Sequence, residues 1–434
     1  LVTADDLIIL YVFWELTTVF SYLLIGHDPT RRANRSAALT ALIVTTTGGL
    51  AMLVGILTLG SVAGTFSLQA LLVAPPEGVP VTIAALLVLL GALSKSALVP
   101  FHFWLPGAMA APTPVSAYLH AAAMVKAGVY LVAALAPAMA GVPGWRPAVW
   151  VLGAMTLFLG GWRALRQDDL KLLLAYGTVS QLGFLVLLLG TGTQAAALGG
   201  LAMVIAHALF KATLFLIVGV VDHSAGTRRI SELSDVGRRL PGTAIIAAIA
   251  AASMAGLPPT LGFIAKEAGL EGITNLGFGG DGTQVAPVPA WALIGVIVLG
   301  SAITVAYSLR FWWGAFAPKA GLVPSTVAQR PAIGFVAIPG LLVPNPAKLI
   351  FDYGLLVGAL LILVVVAIHL QSPAPAIALP ILASFLFLQA ATQPMITVLL
   401  VLATWWAPSA FQIPRDEGRL TEAADWKPPY AASR

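Results

Sequence analysis

The chain has 434 residues, 59% hydrophobic and 9% charged, with a formal net charge of +5 and no cysteine. Ordinary soluble domains carry about 25% charged residues, so a soluble globule is excluded. The lack of cysteine excludes a disulfide framework, thiolate-held iron–sulfur clusters and cysteine-based zinc sites, and places any electron transfer on another chain.

The apolar runs are continuous, not short and alternating, which argues for helices against a transmembrane barrel. Helices satisfy their own backbone groups in lipid and need about 20 residues to cross a hydrocarbon core about 30 Å thick. The fold class is therefore all-α, a polytopic transmembrane helical bundle. In chain order the runs predict spans near 7–26, 38–60, 82–99, 114–137, 147–163, 171–192, 196–221, 242–275 and 290–316. Further on, 332–343 is too short to cross. The runs 354–370, 376–391 and 395–411 are weaker candidates, and a polar tail of both charge signs begins at Arg415. Residue 1 is Leu, and an apolar helix begins almost at once without a basic segment before it. The chain is thus expected to start partway through a longer protein.

Alternating the first nine spans sends Arg31, Arg32, Arg35, Arg163, Arg166, Lys171, Arg228, Arg229, Arg238, Arg239, Lys319 and Arg330 to one face, and Arg146 to the other. Positive charge accumulates in cytoplasmic loops, so the first face is expected to be cytoplasmic. These arginines and lysines lack interleaved aromatics, which argues against a nucleic-acid partner.

Two spans read as interrupted. Pro100 is followed by FHFWLP and a short apolar piece before Pro112 and Pro114, and Leu257-Pro258-Pro259-Thr260 cuts a later helix. Proline removes a backbone donor and clashes with the preceding turn. Breaks at comparable places in successive helix groups are typical of repeated transporter units. Glycines in TTTGGL and LGGL are expected to let helices approach closely.

Ionisable groups recur inside the spans: Glu15, Lys95, His120, Lys126, His207, Lys211, and Lys266 beside Glu267. A charge at the centre of a membrane helix costs about 2.5–3.5 kcal/mol on insertion scales. Singly, each residue admits a structural reading as a snorkelling lysine, an ion-pair member or a satisfied core histidine. Four such lysines with a glutamate point instead to proton transfer, since a desolvated amine exchanges its proton near neutrality and a carboxylate opposes this. His207 and Lys211, four apart, share a helical face and suit a relay. His120 and Lys126, six apart, need other partners. His102, at a break near the cytoplasmic interface, fits either proton uptake or a structural role. Lys266 is expected in the pathway and Glu267 to be surface-facing or structural. No HExxH spacing, GxxxxGK phosphate loop or GxSxG elbow occurs, so no cofactor is expected, and no metal or sodium site is assigned.

The segment SKSALVPFHFWLPGAMAAPTPVSAYLHAAAMVKAGVYL resembles the signature of the antiporter-like, proton-translocating subunits of respiratory complex I, membrane-bound hydrogenases and Mrp cation/proton antiporters. VFWELTTVFSYLLIG, AHALFKATLFLIVG and GLPPTLGFIAKE resemble three further family motifs in the expected order. The resemblance covers about residues 5–320, and VVDHSAGTRRISEL most resembles the large A-type subunit of Mrp sodium/proton antiporters. It implies inverted five-helix repeats with broken helices and half-channels joined by a hydrophilic axis. One unit would occupy 1–140, incomplete at its start, and a second 141–320, with C-terminal helices and a polar tail in 321–434. The family's glutamate falls on Glu15, the broken-helix lysine on Lys95, the bridging histidine on His120, the central lysine on Lys211 and the exit lysine on Lys266, with Glu15 and Lys95 as a switching pair. Met203 stands where some relatives carry a second histidine. Neither the lateral helix of the complex I subunit nor the extra C-terminal domain of the A-type Mrp subunit is recognisable.

The resulting expectation is a non-enzymatic, proton-conducting subunit of a sodium/proton antiporter in a bacterial plasma membrane, partnered by other subunits, protons, sodium and lipid. The alternative is a proton-pumping membrane subunit of a complex I-like NADH–quinone oxidoreductase or of a membrane-bound hydrogenase. A third reading is a non-conducting scaffold whose buried charges specify helix packing.

Overall fold

The computed structural model describes residues 1–278 and 287–327. The candidate spans after 327, Arg330 and the tail from Arg415 lie outside the described residues. Helices run α1 (Leu7–Ile25), α2 (Arg32–Ala63), α3 (Leu68–Val73), α4 (Val79–Lys95), α5 (Trp104–Gly107), α6 (Thr113–Ala117), α7 (Met124–Met139), α8 (Trp145–Leu165), α9 (Leu170–Leu189), α10 (Gln194–Ala225), α11 (Val236–Arg239), α12 (Pro241–Ala255), α13 (Leu261–Phe278) and α14 (Pro287–Phe316). Among the described residues the only β pairing is two isolated bridges, Asp6 with Ser67 and Asp169 with Arg229.

Helices cover all nine expected spans, except that 242–275 is divided between α12 and α13. Among the described residues, seven stretches are long and apolar enough to cross a membrane. The other two, α4 and α12, have 17 and 15 residues. At 1.5 Å per residue they reach only about 25 and 22 Å, short of a hydrocarbon core about 30 Å thick. Both end at an interruption. The run 242–275 is thus two helices, because α12 stops at Gly256, whose φ of 83° caps it in the left-handed region. After Lys95 ends α4, Ala97 takes φ 52° and the chain continues as short turns through Ala110. A π-helical turn, Tyr118–Ala122, then separates α6 from α7.

The ends are locally encoded. The Asp6 carboxylate accepts from the Ile8 and Ile9 amides and starts α1, Asp169 does the same for Lys171 and Leu172 in α9, and Thr193 caps α10. Such caps satisfy donors that the first turn leaves free. α1 turns Ile9, Phe13, Leu16, Phe20 and Leu23 outward, an apolar face suited to lipid. α9 by contrast is buried along nearly its whole length and forms the centre of the bundle.

Close approach occurs at Gly199, where glycine was expected to allow it, and at Gly153 and Gly183, which the sequence did not single out. A Cβ on Gly199 of α10 would strike the backbone of Gly269 in α13, and Gly153 and Gly183 each face the other's carbonyl between α8 and α9.

The loops after α8, α10 and α14 are knitted together at one end. Leu170 N donates to Arg228 O (3.0 Å), Ile230 N to Asp168 O (2.6 Å), Asp235 N to Ala317 O (3.1 Å) and Ser325 N to Ser234 O (2.9 Å). Lys319 adds bonds to the Ile230 and Leu233 carbonyls. The loops on either side of α8 therefore lie at opposite ends, as the alternation required. At the other end, Trp145 and Arg146 donate to Gly190 O (2.9 Å) and Thr191 O (3.1 Å).

Candidate functional site

Lys95 is fully buried at the last position of α4. Its ammonium donates to the Trp14 carbonyl at 2.5 Å and the Thr18 hydroxyl at 2.7 Å, and lies 4.6 Å from the centroid of the Trp14 ring. Glu15, the next residue of α1, feels its charge but forms no ion pair with it within 4 Å. The Glu15 Oε1 is buried without a hydrogen-bond partner, in the space left by the missing side chain of Gly49. The two residues are neighbours without a direct bond, the ammonium being turned to backbone and hydroxyl oxygens of α1.

His120 lies in the π-helical turn, fully buried, between the rings of Trp104 (6.4 Å) and Phe215 (6.3 Å). Neither of its ring nitrogens has a hydrogen-bond partner among the described residues. A π turn shifts the register of every side chain that follows it. Beyond this turn Lys126 meets His207 of α10, with Nζ 2.7 Å from Nδ1. His120 and Lys126 accordingly have different neighbours, as their spacing suggested.

His207 and Lys211 are both fully buried on α10 and within electrostatic reach of each other, but not hydrogen-bonded together. Lys211 donates to the Leu174 carbonyl of α9 at 3.0 Å and lies over the Tyr307 ring, 5.9 Å from its centroid. Met203 is also buried. Lys266 crosses the second interruption and donates to the Ala255 (2.8 Å) and Met254 (3.3 Å) carbonyls, which α12 leaves free at its end. Glu267 is exposed, as expected. His102 sits in the first interruption within electrostatic reach of Arg163, with its Nδ1 unpartnered.

Lys171 requires a correction. The alternation of spans groups it with the loop charges, yet it is only 1% exposed, and its ammonium donates to the Met109 (2.9 Å) and Ala111 (2.5 Å) carbonyls. These carbonyls belong to the first interruption, where a short helical turn ends and needs donors. Lys171 and Lys266 thus serve the two interruptions alike, and Lys171 also reaches His120 electrostatically. Its place next to the Asp169 cap gives no sequence signal for burial.

Three further uncharged residues meet in the interior. Gln181 of α9 donates to Thr304 Oγ1 (3.1 Å) and Tyr307 Oη (3.0 Å) of α14. Gln181, Thr304 and Lys266 line one narrow cleft with Leu157, Phe184 and Ile297. Among the described residues no cluster of three His, Asp or Glu side chains is arranged to hold a metal.

Buried amines and imidazoles thus stand on α4, the π-helical turn, α7, α9 and α10, with the half-buried Lys266 on α13. Residues 4–279 match the family described as NADH:quinone oxidoreductase/Mrp antiporter, transmembrane. The chain belongs to this family.

Among members of the family, a probable K(+)/H(+) antiporter A/B subunit of Rhizobium meliloti is 43% identical over 337 residues, 76% of this chain and 32% of that protein. A Na(+)/H(+) antiporter A1 subunit of Staphylococcus saprophyticus is 43% identical over 330 residues, 72% of this chain and 40% of that protein. The chain thus spans less than half the length of either relative. The solved Mrp complex from Dietzia sp. DQ12-45-1b matches with a TM-score of 0.68 at 44% identity, covering 73% of this chain and 35% of that one. An archaeal membrane-bound sulfane sulfur reductase shares the fold, with a TM-score of 0.67 at 23% identity, covering 77% of this chain and 66% of its own.

Proposed function

We propose that the chain is the proton-conducting part of one component of a multi-subunit sodium/proton antiporter in a bacterial plasma membrane, a secondary transporter and not an enzyme. The carrying observation is that Lys95, Lys126, Lys171 and Lys211 are all buried and bonded to carbonyls, a hydroxyl or an imidazole, with no carboxylate among the described residues within ion-pair distance. The ion pairs among the described residues involve loop arginines, at Asp28, Asp169, Asp222, Glu232 and Asp235. Dipoles orient an ammonium without locking it as a counter-ion would, so an amine held this way can release and regain a proton.

Protons would pass through Lys95, His120, Lys126, His207, Lys211 and Lys266, with His102 and Lys171 on the side of the arginine-rich loops, which we assign to the cytoplasm. Glu15 would act on Lys95 by moving toward or away from it. Repetition supports two units, 1–140 and 141–320. A 19-residue helix and a 32-residue helix precede the first interruption, and a 20-residue and a 32-residue helix precede the second. The relatives' names support monovalent cation/proton exchange and companion subunits, with sodium named in one and potassium in the other.

The test is to express the full-length gene with its neighbouring subunit genes in cells lacking their own antiporters. Added sodium should dissipate a respiration-driven proton gradient in everted vesicles. A gradient untouched by both sodium and potassium, with the complex assembled, would overturn the reading.

A further inference from the structure

Between Lys211 and Lys266 lies a phenol, held by two uncharged polar side chains. Tyr307, Thr304 and Gln181 are 0%, 1% and 1% exposed. The Gln181 amide nitrogen holds both hydroxyls at once, at 3.0 Å from Tyr307 and 3.1 Å from Thr304. The Thr304 proton is already given to the Gly300 carbonyl at 2.8 Å. Because the amide supplies Tyr307 with a donor, the phenol retains its own proton to give elsewhere.

At one end of this group, Lys211 lies over the ring that carries the phenol. Gly177, one turn before Gln181 on α9, makes the meeting possible. A Cβ there would lie 2.9 Å from Lys211 Nζ and 3.2 Å from Tyr307 Cε2. At the other end, Gln181 and Thr304 line the cleft that Lys266 and Ser301 also line. The Gln181 Oε1 is buried without a partner, an acceptor beside that cleft. A buried amide oxygen left unpaired costs about 1–3 kcal/mol, so a position that keeps one has a use for it.

We propose that Tyr307, oriented by Gln181 and Thr304, is the proton-transfer link between Lys211 and Lys266. This rests on the proton pathway proposed above and adds three uncharged residues to it. A proton leaving the Lys211 ammonium adds to the Tyr307 oxygen as the phenol's own proton leaves toward the cleft. A water molecule admitted there, accepted by Gln181 Oε1, passes a proton to the Lys266 amine. Lys211 ends as the neutral amine, Lys266 as the ammonium, and rotation of the hydroxyl restores Tyr307. Leu157, Phe184 and Ile297 make the rest of the cleft apolar, so the link conducts when the cleft widens enough to admit water and is otherwise closed.

The test uses the full-length protein in its assembled complex, with sodium-driven proton exchange measured in everted vesicles in H2O and D2O for wild type, Tyr307→Phe, Gln181→Leu and Lys211→Ala. Tyr307→Phe keeps the ring and should lower the rate per assembled complex by about tenfold to a hundredfold while raising the H2O/D2O rate ratio, as the interrupted transfer becomes limiting. Gln181→Leu should do the same through misplacement of the phenol. A Tyr307→Phe rate and isotope ratio equal to wild type would overturn the proposal. So would a rate lowered only in proportion to the amount of assembled complex, which is the mark of a packing role. If Lys211→Ala also retains exchange, the pathway reading itself fails. If Lys211→Ala is inactive and Tyr307→Phe is unaffected, the link alone fails.

Discussion

The Lys126 ammonium lies 2.7 Å from Nδ1 of His207, across 81 residues of sequence and from one broken-helix group to the next. It is the direct contact between titratable side chains within the buried chain, and it joins α7 to α10. A lysine donating to an imidazole passes a proton without a carboxylate, provided one of the two is neutral.

If the contact acts as a unit, Lys126→Ala and His207→Ala should each lower exchange, and the double variant should be no worse than the more damaged single one. Groups in contact show coupling of about 0.5–3 kcal/mol in such cycles. Additive losses in the vesicle assay would mean that the two act independently.

Lys171→Leu removes the donor that serves the Met109 and Ala111 carbonyls. Each buried acceptor left unpaired costs about 1–3 kcal/mol. The variant should therefore unfold at lower temperature in detergent as well as transport poorly, and Lys171→Arg should recover stability more than transport. Wild-type thermal stability in Lys171→Leu would show that the carbonyls find other donors.

Gly49→Ala places a methyl group where Glu15 Oε1 now lies. The carboxylate must turn away, and its influence on Lys95 changes without any change in charge. Exchange should fall and its pH profile should move, while Glu15→Gln should fall further. A Gly49→Ala profile that superimposes on wild type would remove Glu15 from the control of Lys95.

At the arginine-rich end, the Ser231 hydroxyl and amide donate to Asp168 at 2.6 and 2.9 Å. The hydroxyl bond foremost holds the Asp168 carboxyl below its ordinary range. A lowered carboxyl pKa stabilises the folded loops above the unfolded value of about 4 and ceases to do so as pH falls through the folded value. The protection of amides at residues 230–235, taken relative to their intrinsic exchange rates, should therefore fall in acid. Asp168→Asn should be poorly protected already at neutral pH and lose the dependence; an unchanged acid profile in that variant would refute the assignment.

Much of this architecture is legible in the amino-acid sequence. Apolar runs and charged loops reveal the nine spans and their alternation, because lipid punishes a buried charge strongly enough to leave a visible pattern. Pro100 and Pro258 with Pro259 mark both interruptions for the same reason that proline breaks any helix. The burial of Lys95, Lys126, His207 and Lys211 follows from their apolar surroundings. What they touch does not, since Trp14 O and Leu174 O are backbone atoms that every residue type carries. Lys171 misleads because a cation in the first turn of a helix, two residues after its cap, is normally solvated, and only the docking of the first interruption against α9 buries it. Gln181, Thr304 and Tyr307 escape notice because uncharged polar residues barely disturb hydropathy, and their meeting depends on how α9 and α14 pack.

The central claim is that a buried lysine changes protonation state during transport, and Lys95→Arg tests it most directly. Arginine keeps the charge and can reach the same Trp14 and Thr18 oxygens, but it does not deprotonate in a protein. In everted vesicles holding normal amounts of assembled complex, sodium-driven proton exchange should be abolished in Lys95→Arg; exchange at the wild-type rate would contradict the account.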